Sequence, residues 1–395
     1  MLDPGNFVPY YVDSLCGSLG ERGLRVHVIT SPPLFEPVDP AGRYHVDRLF
    51  FPLLDGRIKA LVRRRRLLRQ ALKAVSYPVG LWRTWRALRS DAPGVLHLQW
   101  ALLPALDGLL VRALKARGWR VLYTVHDPLP ESGRPMAHRQ HRWLLGLCDA
   151  LIVHTPQQAR QLRDAYPDAA ERVHIIPHGG AVFPLPAAAE QAQARRLLGV
   201  EPERPLLLFF GMIKPYKGVE YLLAAMPGVL AQFPRAFLVI AGEPLMSLRP
   251  LEQQIAQLGL GDAVSLRPSF IPQREVPQYL RAADLLVAPY VDVGASGVVA
   301  LAQGHGRPVV VTRVGGLPEF VERDQCGFVV PQRSPEALAE AICRGLSDPE
   351  ALAEMGRRAW RRIGREHRWP DVARRTLELY QPAGGRAPGL QKIFG

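Results

Sequence analysis

Two lysines in a glycine-flanked segment of the chain have the spacing of a phosphate site. The segment FFGMIKPYKG, residues 209–218, joins an apolar run to an amphipathic helix. Gly211 ends the predicted strand, and Lys214 and Lys217 project from the turn that follows. Because lysine ammonium groups bind phosphate oxygens as compact point charges, the pair could neutralise a diphosphate. The alternative is a pair of solvated surface lysines.

A second segment predicts a helix start that could bind the same kind of anion. The run LLVAPY is followed by five small or apolar residues at the start of a predicted helix: Gly294, Ala295, Ser296, Gly297 and Val298. Backbone N–H groups at a helix start favour phosphate, and small side chains let a ligand approach the main chain. The strand GRPVVVT then leads to Gly315, Gly316 and Glu319, which we expect near the same ligand.

The first half of the chain offers different chemistry. The segment TVHDPLP places His126 and Asp127 at the end of a predicted strand, and DPGN places Gly5 and Asn6 in a turn near the start of the chain. A histidine beside an acid at a strand end favours a catalytic or acceptor-side role, although a structural role is the open alternative. His178, in IIPHG, is interpreted as part of the turn between the two halves.

The elements around these segments alternate short apolar runs with longer amphipathic stretches, which indicates β-α units and parallel sheets. The alternation restarts after a stretch rich in Pro, Ala and Gln that begins at Phe183. We therefore predict an α/β chain of two Rossmann-like doubly wound domains, residues 1–182 and 183–365, facing across a cleft. Residues 366–395 are predicted as a helix packing back on the first domain, then a flexible tail. The first domain appears in the sequence without its opening strand.

Composition and charge narrow the class of protein. No run of about 20 apolar residues predicts a membrane-spanning helix, and the four cysteines lack zinc or disulfide spacing, so we predict buried thiols. The net charge is +14, concentrated in the stretch Arg57–Arg86, which contains no acid and interleaves cations with Leu and Trp. That pattern predicts one helix, or two broken at Pro78, lying on an anionic membrane surface. The alternative is a solvated basic face; nucleic-acid binding lacks a module to support it.

Taken together, the motifs resemble the retaining glycosyltransferases of family 4, which have the GT-B fold. FFGMIKPYKG resembles the family's donor-phosphate loop, with Lys217 at the family lysine, and ADLLVAPY and GRPVVVTRVGGLPEF resemble the segments around its acidic motif. The resemblance implies transfer of a sugar from a nucleotide diphosphate with retention and without an obligatory metal or other cofactor. It implies catalytic roles for His126, Lys217 and Glu319, with His126 on the acceptor side and Glu319 near the donor.

Two departures from the family pattern bear on the donor. The two family glutamates correspond to Val293 and Leu301, and Met212 stands where many members carry arginine. We expect a cytoplasmic bacterial enzyme, peripheral on the inner face of the membrane, that uses a nucleotide sugar and a lipid-linked or saccharide acceptor in cell-envelope or exopolysaccharide synthesis. A non-catalytic relative that acts as a binding or scaffolding subunit is the main alternative, and a sugar-nucleotide epimerase or phosphorylase is the other.

Overall fold

The chain folds into two compact α/β units. A computed structural model describes residues 1–33, 36–51, 66–129, 135–292 and 296–381. One unit comprises Met1–Pro177 with Trp369–Gly395, and the other comprises His178–Arg368. The predicted division at residue 182 therefore falls a few residues inside the second unit. The predicted tail, from residue 382 onward, lies outside the described residues.

The first unit is built on a parallel sheet in the order β3-β2-β1-β4-β5-β6-β7. Its strands are β1 (Leu2–Asp3), β2 (His27–Thr30), β3 (His45–Arg48), β4 (Val95–Leu98), β5 (Arg120–Thr124), β6 (Ala150–Val153) and β7 (Val173–Ile175). Its helices up to this point are α1 (Pro9–Gly20), α2 (Arg66–Leu88), α3 (Pro104–Lys115), α4 (Pro135–Leu147) and α5 (Pro156–Ala165).

The opening strand that we predict to be missing is present in shortened form, which corrects that prediction. Leu2 pairs in parallel with Ile29 of β2 and Leu98 of β4, so β1 occupies the centre of the sheet. Leu2 is fully buried. Two residues are too few to show an apolar run, which explains why the sequence pattern does not reveal this strand.

The basic stretch forms a single helix over the part that the structure describes. α2 runs through Pro78 without a break, so the two-helix alternative is wrong. Tyr77, Leu81 and Leu88 are buried on one side of α2, and their packing holds the helix across the proline. Residues 57–65 of the stretch lie outside the described part of the chain.

The second unit repeats the architecture with a parallel sheet in the order β10-β9-β8-β11-β12-β13. Its strands are β8 (Leu206–Phe210), β9 (Phe237–Ala241), β10 (Val264–Arg267), β11 (Leu285–Ala288), β12 (Val309–Thr312) and β13 (Gly327–Val330). Its helices are α6 (Ala188–Leu197), α7 (Val219–Gln232), α8 (Arg249–Gln257), α9 (Val276–Ala282), α10 (Gly297–Gly304), α11 (Pro335–Ser347) and α12 (Pro349–Glu366). The chain ends its described part with α13 (Trp369–Tyr380), which packs on α1 in the first unit.

Burial explains why these segments become strands. Every residue of β8, β11 and β12 is buried, as expected for strands of a parallel sheet covered on both faces. Several helices begin with proline after a Ser, Thr or Asp cap, as at Thr155, Ser334 and Asp348. The prediction of two doubly wound parallel-sheet domains is confirmed, and the four cysteines are buried free thiols as predicted.

Candidate active site

Three neighbouring strands of the second unit end at the segments that the sequence singles out. Gly211 follows β8, the segment ending in Ser296 follows β11, and Gly315 follows β12. β8, β11 and β12 are adjacent in the sheet and parallel, so their carboxyl ends share one edge. Ligands of open parallel α/β sheets bind at this edge, so the arrangement is that of a binding site.

The loop of residues 211–218, which carries Lys214 and Lys217 and is called the lysine loop below, is hydrogen-bonded to the segment after β11. The backbone N–H of Val291 donates to the carbonyl of Tyr216 at 2.8 Å. The Lys217 ammonium lies 3.6 Å from the ring centroid of Tyr290, whose side chain is buried. Lys214 and Lys217 lie 5.5 and 5.4 Å from the ring centroid of Tyr216. Cation–π contacts of this kind keep both cations close to the ring of Tyr216.

Two glycines make this close approach of backbones feasible. Gly218 has φ 65°, and a Cβ there would lie 2.0 Å from the carbonyl oxygen of Pro289. Gly211 has φ 109°, and a Cβ there would lie 3.2 Å from a methyl group of Val298. Both positions therefore require glycine to keep the lysine loop against the segment after β11 and the start of α10.

The start of α10 is capped by the side chain of Ser296. The Ser296 side chain is buried and accepts a hydrogen bond from the Val299 N–H at 3.4 Å, and Gly297 at the first helical position is exposed. The ring of His178 packs against Gly297, where a Cβ would lie 3.2 Å from its Nε2. Burial lowers the pKa of His178 to about 4, so the imidazole is neutral at neutral pH. Gly294 and Ala295 lie outside the described residues.

The loop after β12 completes the site predicted in this unit. Gly315 has φ 52°, and the Glu319 N–H donates to the Gly316 carbonyl at 3.2 Å, which places the half-buried Glu319 in a short 3₁₀ turn. Leu301, at the position of the family's second glutamate, packs against the hydrophobic core from α10. That position therefore offers an apolar side chain in place of a carboxylate.

His126 lies in a hydrogen-bonded array of the first unit. It follows β5 and lies with its ring stacked on Trp100, which follows β4, at a centroid distance of 5.0 Å. Its Nε2 is 3.1 Å from Gln99 Oε1, and its Nδ1 is 3.3 Å from Nε2 of His154, which follows β6. Tyr11 approaches the ring edge-on at 5.2 Å.

Hydrogen-bond logic assigns the protons of the two imidazoles. His154 Nδ1 is 3.0 Å from the carbonyl oxygen of Ile176, so this nitrogen carries hydrogen and donates. A neutral His154 then accepts at Nε2, and the His126 Nδ1–H donates to it. His126 Nε2 faces Gln99 Oε1, which only accepts, so this nitrogen donates to Gln99 or, with Gln99 turned away, to the oxygen of a substrate hydroxyl.

The turn after β1 lies at the same edge of the first sheet. Asn6 has φ 51° and donates from its side chain to the Ser31 carbonyl at 3.2 Å, and Gly5 precedes it beneath the ring of Phe7. Phe7 in turn contacts Trp100 edge-on at 5.5 Å. Asp127 is exposed next to His126. A pocket here is lined by Pro and Val side chains together with the polar residues Asp3, Asn6, Thr30, Ser31, Glu36, Tyr44 and Arg48.

Asp3 gives this unit a dependence of stability on pH. Burial raises its pKa from 3.8 to about 6, and backbone N–H groups of the turn offset part of the rise. Since the folded pKa is the higher one, the neutral acid stabilises the fold fully below about pH 4, and this stability is lost as pH rises through 6. We expect Asp3→Asn to change the free energy of unfolding more favourably at pH 7.5 than at pH 4, and the difference between the two effects should be roughly 2.5 kcal/mol.

Urea unfolding at both pH values, followed by tryptophan fluorescence, measures this difference. All tryptophans except Trp360 lie in the first unit, so the signal reports mainly on that unit. An equal effect of the substitution at pH 4 and pH 7.5 would show that the Asp3 carboxyl is not desolvated in the folded protein.

Sequence reasoning missed several residues of both clusters. The sequence does not distinguish Tyr216 and Tyr290 from other aromatic residues, and His154 does not belong to a recognisable motif. His178, interpreted from sequence as turn structure, packs against the start of α10 instead of serving the turn alone. For His154, Tyr290 and His178, a position within three residues of the end of a strand is the signal that could have identified them.

Comparison with known proteins agrees with this geometry. The family model described as Glycosyltransferase Family 4 matches residues 8–179, and the one described as Glycosyl transferases group 1 matches residues 204–348. A D-inositol 3-phosphate glycosyltransferase of Thermobispora bispora is 33% identical over 249 residues, which cover 61% of this chain and 57% of that protein. The chain thus spans little more than half the length of the curated relatives it matches.

Solved structures resemble nearly the whole chain. The sucrose-phosphate synthase of Thermosynechococcus elongatus superposes with a TM-score of 0.74 at 25% identity, over 94% of this chain and 92% of that one. Anabaena HepE, solved with UDP and glucose, superposes with a TM-score of 0.76 at 18% identity, over 95% and 97% of the two chains. With a family model matching each unit and these neighbours in fold, the chain belongs to the family 4 glycosyltransferases and has the GT-B fold.

Proposed function

We propose that the chain transfers a sugar from a nucleotide diphosphate to an acceptor hydroxyl with retention of anomeric configuration. The main observation in support of this proposal is that the lysine loop and the start of α10 lie close together. A Cβ at Gly211 would lie 3.2 Å from a Val298 methyl group, and Lys217 lies over the ring of Tyr290, so the cations and the helix N–H groups belong to one edge of one sheet. A diphosphate is the ligand that such a set of groups favours.

The second unit would hold the donor. Lys214, Lys217 and the N–H groups at the start of α10 would stabilise the negative charge that develops on the diphosphate as its bond to the sugar breaks. Glu319 would lie near the donor sugar. These groups supply the charge that a metal supplies elsewhere, so we expect transfer without an added cation.

Retention follows from the family resemblance and gives the histidine array its proposed role. The bond from the anomeric carbon to the diphosphate breaks as the bond to the acceptor oxygen forms on the same face, and the acceptor proton passes to the leaving diphosphate. His126 would bind and orient a substrate hydroxyl through Nε2, with its ring held by His154 and Trp100.

The exposed face of α2 in the first unit favours an anionic acceptor at a membrane surface. α2 exposes Val75, Val79 and Trp82, with exposed fractions of 72%, 42% and 52%, beside the exposed Arg83 and Arg86. An outward face that mixes apolar and cationic side chains is typical of helices that lie on anionic lipid. No helix in the described parts of the chain has the length and apolar character to cross a membrane. We therefore propose a peripheral enzyme of cell-envelope or exopolysaccharide synthesis, acting on a lipid-linked or saccharide acceptor.

Combining Trp82→Ser with Arg83→Gln and Arg86→Gln is expected to weaken binding to anionic vesicles by about 30-fold. Each arginine near such a surface contributes about 1 kcal/mol, and 1.4 kcal/mol corresponds to tenfold in affinity. Vesicle sedimentation measures it. The matched control removes Arg357 and Arg361 from α12 and should change binding little. Equal binding by the triple variant and the wild type would refute the membrane role of α2.

A small phosphorylated acceptor is a second candidate, because the curated relatives are named D-inositol 3-phosphate glycosyltransferases. In that case the pocket that includes Asn6 and Arg48 would bind the acceptor phosphate. Transfer to D-inositol 3-phosphate in the absence of any lipid would favour this candidate over the lipid-linked one.

The experiment that tests the proposed function incubates the purified chain, treated with EDTA, with UDP-, GDP- and ADP-sugars and a panel of lipid and soluble acceptors. Release of nucleotide diphosphate, together with a glycoside that has the anomeric configuration of the donor sugar, supports the proposed function. Conversion of the donor sugar without acceptor would identify an epimerase. Nucleotide binding without turnover against every acceptor would favour the non-catalytic relative.

A further inference from the structure

Two histidines and an aspartate meet on the edge strands of the first sheet. β2 and β3 pair in parallel, with His27 opposite His45 and Ile29 opposite Asp47. Since side chains two apart on a strand share a face, His45 and Asp47 lie on one face of β3, beside His27 of β2. The pairing register thus brings together three residues from two separate stretches of sequence.

The ligand atoms of this trio converge closely enough to share one ion. His27 Nε2 is 2.7 Å from Asp47 Oδ2, and His45 Nε2 is 3.2 Å from Asp47 Oδ1. One nitrogen or oxygen from each residue lies within 4.8 Å of the others. An ion with bonds of about 2.0 to 2.2 Å to such ligands would separate them by about 3 to 3.5 Å. Side-chain rotations that bring the three atoms to this spacing would produce that geometry.

The donor set indicates the class of ion. Two imidazole nitrogens and one carboxylate oxygen suit a borderline transition-metal ion, whereas Mg²⁺ and Ca²⁺ prefer oxygen ligands throughout. The His45 side chain is 71% exposed, so water can reach the remaining coordination positions. Zn²⁺, which accepts such mixed sets in tetrahedral geometry, fits this arrangement.

The position of the trio separates it from the transfer chemistry. His27 and His45 are the first residues of β2 and β3, whereas the groups around His126 follow the carboxyl ends of β4, β5 and β6. β3 is the edge strand of the sheet. We propose that His27, His45 and Asp47 bind one Zn²⁺ ion, which fastens the edge strand β3 to β2. The two histidine–aspartate contacts would then be the metal-free form of this site.

Calorimetric titration of the tag-free, EDTA-treated chain with ZnCl₂ tests the proposal. We expect one ion per chain, and binding weakened by 10- to 100-fold or more in His45→Ala and in Asp47→Asn, since even loss of a supporting residue around a metal costs that much. His138→Ala is the matched control, because His138 bonds to Tyr166 elsewhere in the same unit. Cobalt(II) absorption of the wild type, absent from His45→Ala, would identify the ligands.

Hydrogen exchange provides a readout independent of activity. Zn²⁺ should slow exchange of the β3 amides in the wild type and leave them unchanged in His45→Ala. Absence of Zn²⁺ binding, or binding that His45→Ala and Asp47→Asn leave unaltered, would overturn the proposal. Transferase activity should be the same in His45→Ala and the wild type, so neither result bears on the proposed function.

Discussion

Replacing Lys217 with alanine is expected to lower kcat/KM for the donor by about 10²- to 10³-fold, the effect typical of losing one charge-stabilising donor at a leaving group. The ammonium lies on the ring of the buried Tyr290, in the loop tied to the segment after β11. Because charge accumulates on the diphosphate as the sugar departs, the loss should fall on kcat as well as on KM. Steady-state kinetics with saturating acceptor measures both.

Two further variants make this result specific. Lys217→Arg keeps the charge and should recover part of the lost rate, although a guanidinium does not reproduce the point charge of lysine. Lys115→Ala removes a lysine paired with Asp149 in the first unit and should leave kcat/KM near the wild-type value. An undiminished rate in Lys217→Ala would mean that the loop does not contact the leaving group.

Replacing His126 with alanine is expected to lower kcat by about 10²-fold with little change in the affinity for nucleotide diphosphate. The lost group is the Nε2 that His154 and Gln99 hold in place, and misplacing a reacting hydroxyl typically costs this much. Kinetics and nucleotide titration on the same variant separate the two quantities.

The control for this prediction is His138→Ala, another histidine substitution in the first unit. His138 bonds to the Tyr166 hydroxyl at 3.0 Å, away from the array around His126. We expect wild-type kcat from it. A His126→Ala variant with full kcat, or with lost nucleotide binding, would assign His126 a structural role.

Continuous buried runs made most of the architecture predictable. LLLFF over β8 and ALIV over β6 are apolar throughout, and the structure has a strand over each of these runs. The sequence does not predict the edge strand β3, HVDR, because its polar residues lie on a partly exposed edge and form no apolar run. β1 is not predicted either, because it has two residues, and its neighbours in the sheet supply the pairing that makes it a strand.

The functional residues could be predicted where they lie within one short segment of sequence. They could not be predicted where the pairing of strands brings them together from separate segments. Lys214, Lys217 and Ser296 are visible in the sequence because each lies directly after an apolar run or before a helix. The stack of Trp100 on His126 joins residues after two different strands, so it follows only from the order of the sheet. The trio of His27, His45 and Asp47 depends likewise on the register of β2 and β3, which no spacing rule contains.

The most direct test of the proposed donor site is a metal-free calorimetric titration with UDP, GDP and ADP. If the lysine loop and the start of α10 hold a diphosphate, one nucleotide will bind selectively, and Lys217→Ala will weaken that binding by at least about tenfold, the cost of losing one charged hydrogen bond. Absence of binding to all three nucleotides, or binding that Lys217→Ala leaves unchanged, would contradict it.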